Sequence, residues 1–484
     1  MQSSLRRGTS TKVFGEPKLR DKLEEAIEID LSHPQFNTSL PRKVILVTTG
    51  RLSGNARLAT QEFKKKFEKD KNVQELIFWE QEQLIQFSEE YGLSGIYQNT
   101  AKGLSGLGQF YLTYSKAIDG TLSDREIEEF SRLWLDNELS YRKKIFRAAI
   151  EAEIIAVMLT ERQRTYEALI TQLALSRIIM KVTYETDDPF VVTILKELVE
   201  ETIFPVCREF FNQFKADWEE TGKKLIQLCF QNCYFPMLDY LVWCARVLEV
   251  ASLYAFLSKE PAERDEAITF LVEFIETEEG CGHIPADRYA VTVVWPTLAL
   301  LRASRTDKAI AFVQRTLVWL CDRVEKGAGL AHWDADEYQE TVTLLGYPFD
   351  FIKLEEHGSY YLATVVTDLA AFIGDKKFYE DVSHDLAAVE VAFTYWQFPD
   401  SEAIFTVDTE ECTTYANIPV SSSIEKFEDY EYAEHIKPEV GSFQIAQKAG
   451  IYSLILLSVF LKDRYFPKMW DQMISTNIPV DNPS

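Results

Sequence analysis

Residues 43–63 read KVILVTTGRLSGNARLATQEF. Val44 to Val47 form an unbroken run of aliphatic side chains. A run without polar alternation fits a strand covered on both faces, so Val44–Thr49 is expected to be one. Thr48-Thr49-Gly50-Arg51 then breaks the pattern, and Gly50 permits a tight turn and a close backbone approach. A helix is expected over 53–69, with Ser53 and Asn55 as candidate caps. Lys64, Lys65, Lys66, Lys69 and Lys71 read as its solvated basic end. The start of such a helix offers free N–H groups and a positive dipole end, and Arg51 and Arg57 could reach an anion placed there. The candidate phosphate- or nucleic-acid-binding residues are therefore Thr49, Gly50, Arg51, Ser53, Asn55 and Arg57.

Outward from this stretch, residues 17–30 predict an amphipathic helix opened by Pro17. ELIFW at 75–79 predicts a second strand, and a helix follows over 80–90. The order α-β-α-β-α implies α/β layering with parallel strands. Two strands do not make a stable sheet, so others are expected from residues 1–16, from another segment or from a partner.

Beyond residue 122 the pattern is helical. Helices are expected at about 124–159, 161–182, 189–216, 235–258, 262–278, 291–304, 306–326, 358–373, 377–394 and 442–463. Ile268, Leu271, Val272 and Ile275 show the spacing, at i, i+3, i+4 and i+7. Ser123 with Glu126 reads as a capping box opening the region. No fixed repeat is present, so the body is expected to be an irregular bundle- or solenoid-like assembly. The expected organisation is a partial α/β domain (1–92), a Gly-containing linker (93–122) and a helical domain (123–394). An acidic, aromatic surface excursion (395–440) and a C-terminal helix and tail (441–484) complete it.

The chain has 484 residues, 46% hydrophobic, and a net charge of −25. The charge is uneven: residues 1–72 carry 15 Lys and Arg against 9 Asp and Glu, and the remainder is strongly acidic. An acidic body repels nucleic acid, so only the N-terminal unit suits phosphate. Seven scattered cysteines suit a reducing compartment better than a disulfide framework. The start, MQSSLRRGTSTK, has no apolar core behind its arginines, and YSLILLSVFL at 452–461 is too short to cross a bilayer. A cytoplasmic protein without membrane contact is expected.

The segment VILVTTGRLSGNAR, with the helix before it and the ELIFW strand after it, resembles the C-terminal half of an Mrr-like restriction-endonuclease-like domain. The resemblance covers about residues 12–90 and rests on an apolar strand ending in Thr-Thr-Gly. The early Ala56-Arg57 pair and the run from Trp79-Glu80 to Leu84-Ile85 extend it. It implies a nuclease-type sheet and a role in prokaryotic antiviral defence. That family's metal-binding acids lie upstream of this turn and hold a divalent ion that activates water. Residues 1–16 contain no Asp and one acid, Glu16, so the unit is expected to be non-catalytic. The implied alternatives are a Mg2+-dependent DNA endonuclease completed by a partner chain or upstream sequence, and an oligomerising scaffold without nucleic-acid binding. A protein partner or homo-oligomer is expected in each case.

No catalytic residues are identifiable elsewhere. GLSGLG at 103–108 lacks the Gly-Lys-Ser/Thr of a P-loop and reads as a hinge. His332, Asp334, Asp336 and Glu337, with Glu340 near, are the candidate metal ligands, or else an acidic loop leading into a helix N-terminus. Asp287-Arg288 reads as a cap and an ion pair, and Cys229, Cys233 and Cys244 as core thiols. Glu355-Glu356-His357 reads as a helix cap or an acid–base group. The expected fold class is mainly α with a small N-terminal α/β unit.

Overall fold

The structure is a computed structural model. It describes residues 42–47, 64–65, 73–79, 103–135, 140–186, 188–232, 235–332, 335–346, 359–396 and 413–416. The chain divides into two compact units, 1–108 and 109–484, and the described residues are mostly helical.

In the first unit, β1 (Arg42–Val47) and β2 (Val73–Trp79) pair in parallel, with Val44 opposite Leu76 and Val47 opposite Trp79. Parallel neighbours require a crossover between them, and residues 64 and 65 within it are helical. The strand, Arg42–Val47, starts two residues before the expected Val44–Thr49 and ends at Val47.

Residues 103–119, inside the expected linker 93–122, are helical. They form α1 (Gly103–Asp119), and the division between units falls inside it. Three glycines lower helix propensity by about 1 kcal/mol each. Phe110, Thr113 and Ala117 are nevertheless buried at i, i+3 and i+7, so packing outweighs the penalty.

The second unit begins with α2 (Asp124–Ser131), opened by the expected Ser123–Glu126 capping box. The single helix expected over 124–159 is broken by a 3-10 turn at Arg132–Leu135 before α3 (Tyr141–Glu161). Trp134 anchors that turn: it is buried, and its indole N–H donates to Glu151 Oε2 at 2.6 Å. Next come α4 (Thr165–Glu185) and α5 (Pro189–Leu198), then a π turn at Val199–Ile203 and α6 (Phe204–Glu220). Pro205 has no N–H to continue an α ladder, and just before it the Phe204 N–H bonds five residues back to Val199.

The chain continues through α7 (Leu225–Asn232), α8 (Pro236–Leu257) and α9 (Pro261–Thr277). A 3-10 segment at Asp287–Val293 leads into α10 (Val294–Arg302), α11 (Thr306–Glu325) and the short α12 (Glu337–Leu344). The two-residue strand β3 (Ser359–Tyr360), α13 (Tyr361–Ile373) and α14 (Lys376–Ala388) follow. The helix expected over 377–394 stops early, because Glu390 takes a positive φ of 55°. The β-rich AFTYW then forms β4 (Ala392–Trp396). It pairs parallel to β3 and antiparallel to β5 (Thr413–Ala416), so the excursion at 395–440 contributes a strand.

Three helices form the centre of this body. α4 is buried on all sides from Thr165 to Thr183 and packs against α2, α3, α5 and α6. α8 lies against α6, α7, α9 and α10, and α13 against α10, α11, α14 and β4. α8 is long and apolar enough to cross a membrane, but 78% of its apolar window is buried in this body, as in a core helix. Aromatic edges join α6 to α9: Trp218 meets Phe274 at 5.2 Å and Phe214 meets Phe274 at 5.7 Å. Just beyond α9, the buried Glu278 ties three elements together. Its carboxylate accepts from Trp218 Nε1 at 2.7 Å, Leu225 N at 2.7 Å and the Tyr240 hydroxyl at 3.0 Å.

Candidate functional site

The residues expected to meet phosphate, Thr49, Gly50, Arg51, Ser53, Asn55 and Arg57, lie outside the described residues. β1 ends at Val47, which puts Thr48 to Arg51 directly after the C-terminal end of a parallel strand. Of the basic helix end, Lys64 is half-buried and Lys65 exposed.

Two of the candidate metal ligands, Asp336 and Glu337, lie at the start of α12. Asp336 caps α12: its side chain accepts from Gln339 N at 2.8 Å, while Gln339 Oε1 accepts from Asp336 N at 2.9 Å. Glu337 lies in the first turn of the same helix, where an acid complements the dipole. His332 sits near Asp287, and Asp334 lies outside the described residues. Among the described residues no group of three His, Cys, Asp or Glu side chains could hold a metal ion. Glu355, Glu356, His357 and Cys233 also lie outside them. Cys229 and Cys244 are buried core thiols, and Cys244 lies against Cys281.

What the fold does assemble is a buried network of arginines, carboxylates and tyrosines inside the second unit. Its hub is Asp287-Arg288-Tyr289, at the start of the 3-10 segment. Asp287 does cap a helix and Arg288 does enter an ion pair, but with α13 and α12 rather than within the turn into the following helix. Asp287 is buried and accepts from Tyr361 N and Leu362 N, both at 3.1 Å, closing the N-terminus of α13. Burial raises its carboxyl to about 6 despite those two N–H donors. Arg288 turns the other way, with Nε 2.8 Å from Glu340 Oε1 of α12 and Nη2 2.6 Å from the Tyr289 hydroxyl.

A second arginine, Arg246 of α8, extends the network. It lies 3.3 Å from Asp124 of α2 and 3.7 Å from Glu167 of α4, with its guanidinium 4.5 Å over the Tyr166 ring. Glu167 also pairs with Arg164, and the Tyr166 hydroxyl donates to Glu249 of α8 at 3.1 Å. Burial disfavours the charge on Arg246, but Asp124 and Glu167 outweigh it and hold the guanidinium protonated. The Tyr289 hydroxyl is held well above its usual range, first by burial.

Glu340 is the exception in the network. Its side chain is 0% exposed, and neither oxygen receives a hydrogen bond among the described residues. Burial pushes its carboxyl up to about 7, partly offset by Arg288. A carboxyl titrating near neutrality beside a guanidinium can exchange a proton under ordinary conditions.

Sequence reasoning named Asp287 and Arg288 but missed Asp124, Glu167 and Arg246. A signal existed: Arg246 and Glu249 interrupt the apolar run of α8, and Glu167 that of α4. A charge on a fully buried helix needs a partner, which the sequence does not name. A separate open cleft of about 540 Å³ runs beside α11, where His283 stacks on Trp319 at 4.4 Å. No known family model, curated protein or solved structure matches the chain.

Proposed function

We propose that this is a prokaryotic defence-type protein. Its N-terminal α/β unit, of restriction-endonuclease-like descent, contacts nucleic-acid phosphate, and its helical body docks proteins. The observation that carries the reading is the parallel pairing of β1 with β2. In α/β sheets, ligands bind beyond the carboxyl ends of the strands. Thr49, Gly50 and Arg51 follow the carboxyl end of β1, in the basic part of an otherwise acidic chain. For the body, the support is an apolar stripe on α3. Phe146 (48% exposed) and Val157 (41% exposed) share a face with the half-buried Ile150 and Ile154.

The test is binding of a fluorescent DNA duplex to the full chain across a salt series. Arg51→Ala/Arg57→Ala is expected to weaken binding and to flatten the log–log salt slope by about 2, one unit per lost phosphate contact. Unchanged affinity and slope in the variant would sink the phosphate role.

A second reading, a Mg2+-dependent endonuclease completed by a partner chain, has one residue-level support. Glu16-Pro17-Lys18 has the acid–x–lysine spacing of that family's metal centre, though residues 1–16 supply no Asp. These residues lie outside the described ones. Nicking of supercoiled plasmid that needs Mg2+ and is lost in Glu16→Gln would establish this reading over the non-catalytic one.

A further inference from the structure

Helix α12 is fastened to the body by two arginines. Glu340 is its one buried residue, and it faces Arg288. At the other end, Arg323 of α11 donates to the last carbonyls, from Nη1 to Leu344 O at 2.9 Å and from Nη2 to Thr343 O. Arg323 is itself braced by Gly329 O, 3.0 Å from its Nε. Along the rest of the helix Tyr338 is exposed, residues 341–344 are half-buried, the helix packs against α8, and the Asp336–Gln339 capping box closes on itself. Arg288 of the 3-10 segment lies directly against Glu340, and the charges of Glu340 and of Asp124 on α2 both act on Tyr289.

The charges facing Glu340 come from every neighbouring element. Arg288 stands against it, Asp124 and Arg125 approach from α2, and Glu337 approaches from its own helix. Arg246 of α8 lies behind Asp124 and acts on Tyr289. Asp124 and Glu337 oppose ionisation of Glu340, while Arg288 and Arg125 favour it. The missing hydrogen bonds decide the balance. A carboxylate fully withdrawn from water, whose one close N–H, Arg288 Nε at 2.8 Å, is not aligned for a hydrogen bond and whose other oxygen has none, is poorly compensated by that ion contact.

We propose that α12 is a proton-controlled latch, closed over the Arg288–Tyr289–Asp124 cluster when Glu340 is protonated and released from it when Glu340 ionises. The direction follows from linkage. The closed-state carboxyl titrates near 7, above the usual carboxylate range, so closing takes up a proton between about 4.5 and 7. Closure is strongest below that window and is lost as pH rises through it. Were the Arg288 ion pair dominant, the latch would tighten with rising pH instead.

Hydrogen–deuterium exchange of the full chain, read on peptides covering 336–346 at pH 6.0 and 8.5 and corrected for intrinsic rates, tests this. Protection of α12 is expected to fall about tenfold between the two pH values in the wild-type chain. Glu340→Gln, neutral at both, is expected to remove that fall while α4 and α8 keep their protection. Arg288→Ala, which strips the counter-charge, is expected to steepen it. Wild-type protection that is flat or rises with pH would overturn the proposal. So would a Glu340→Gln chain that keeps the tenfold fall, or one whose α12 is open at both pH values over an intact α4 and α8.

Discussion

Glu278 gives the sharpest test of how the body is held together. It follows α9, is buried, and accepts three hydrogen bonds from three places: the Trp218 indole of α6, the backbone N–H of Leu225 at the start of α7 and the Tyr240 hydroxyl of α8. Glu278→Ala removes the acceptor and leaves three donors dry. Each buried donor without a partner costs about 1–3 kcal/mol, so a loss of about 4 kcal/mol is expected after some relaxation. Glu278→Gln separates acceptor from charge. Oε1 takes two of the three bonds, from Trp218 and Leu225, and the amide oxygen can keep both. The amide nitrogen then meets the Tyr240 oxygen, which already accepts from Gly280 N at 3.0 Å, so only the phenol proton is stranded. That variant should lose about 1–2 kcal/mol. Urea unfolding, followed by far-ultraviolet circular dichroism at pH 7, reads both. With a slope of about 3 kcal/mol per M, the alanine midpoint falls by about 1.3 M and the glutamine midpoint by about 0.3–0.7 M. An alanine variant within about 0.2 M of the wild type, or a glutamine variant as unstable as alanine, would refute the reasoning.

Two further outcomes follow from the same packing. Asp287→Asn keeps an acceptor for the Tyr361 and Leu362 N–H groups but cannot ionise. The wild-type carboxyl titrates near 6, above its usual range, so its contribution is full below about 4 and is lost as pH rises through 6; the variant should flatten that part of the stability–pH curve. Gly282 has φ +88°, and a Cβ there would lie 2.7 Å from Thr316 Oγ1 of α11. Gly282→Ala should therefore cost about 2–3 kcal/mol in the same urea experiment, from backbone strain and overpacking together.

Much of the helical body was legible in the sequence. The 3.6-residue spacing of Ile268, Leu271 and Ile275 marks the inner face of α9, and all three are buried. The capping box at Ser123 also read correctly, because a cap is local chemistry. Asp287 and Arg288 differ: they cap and pair, but with α13 and α12, more than 50 residues away, and local pattern names neither partner. Misreadings occurred where a distant contact overrides local preference. Burial of Phe110 and Ala117 carries a glycine-rich segment into α1, and the bond from Trp134 to Glu151 accompanies the break between α2 and α3.

Periodicity, capping residues and the density of aliphatic side chains thus determined, from the sequence alone, that most of the described residues are helical and roughly where those helices lie. Which charges meet was decided only by the tertiary structure. Asp124, Glu167, Arg246, Arg288 and Glu340 span more than 200 positions of sequence, yet they come together around the start of one 3-10 segment. Local pattern cannot encode that meeting. An ion pair in a core depends on which helix faces which, and it is set by how apolar surfaces across the whole body pack.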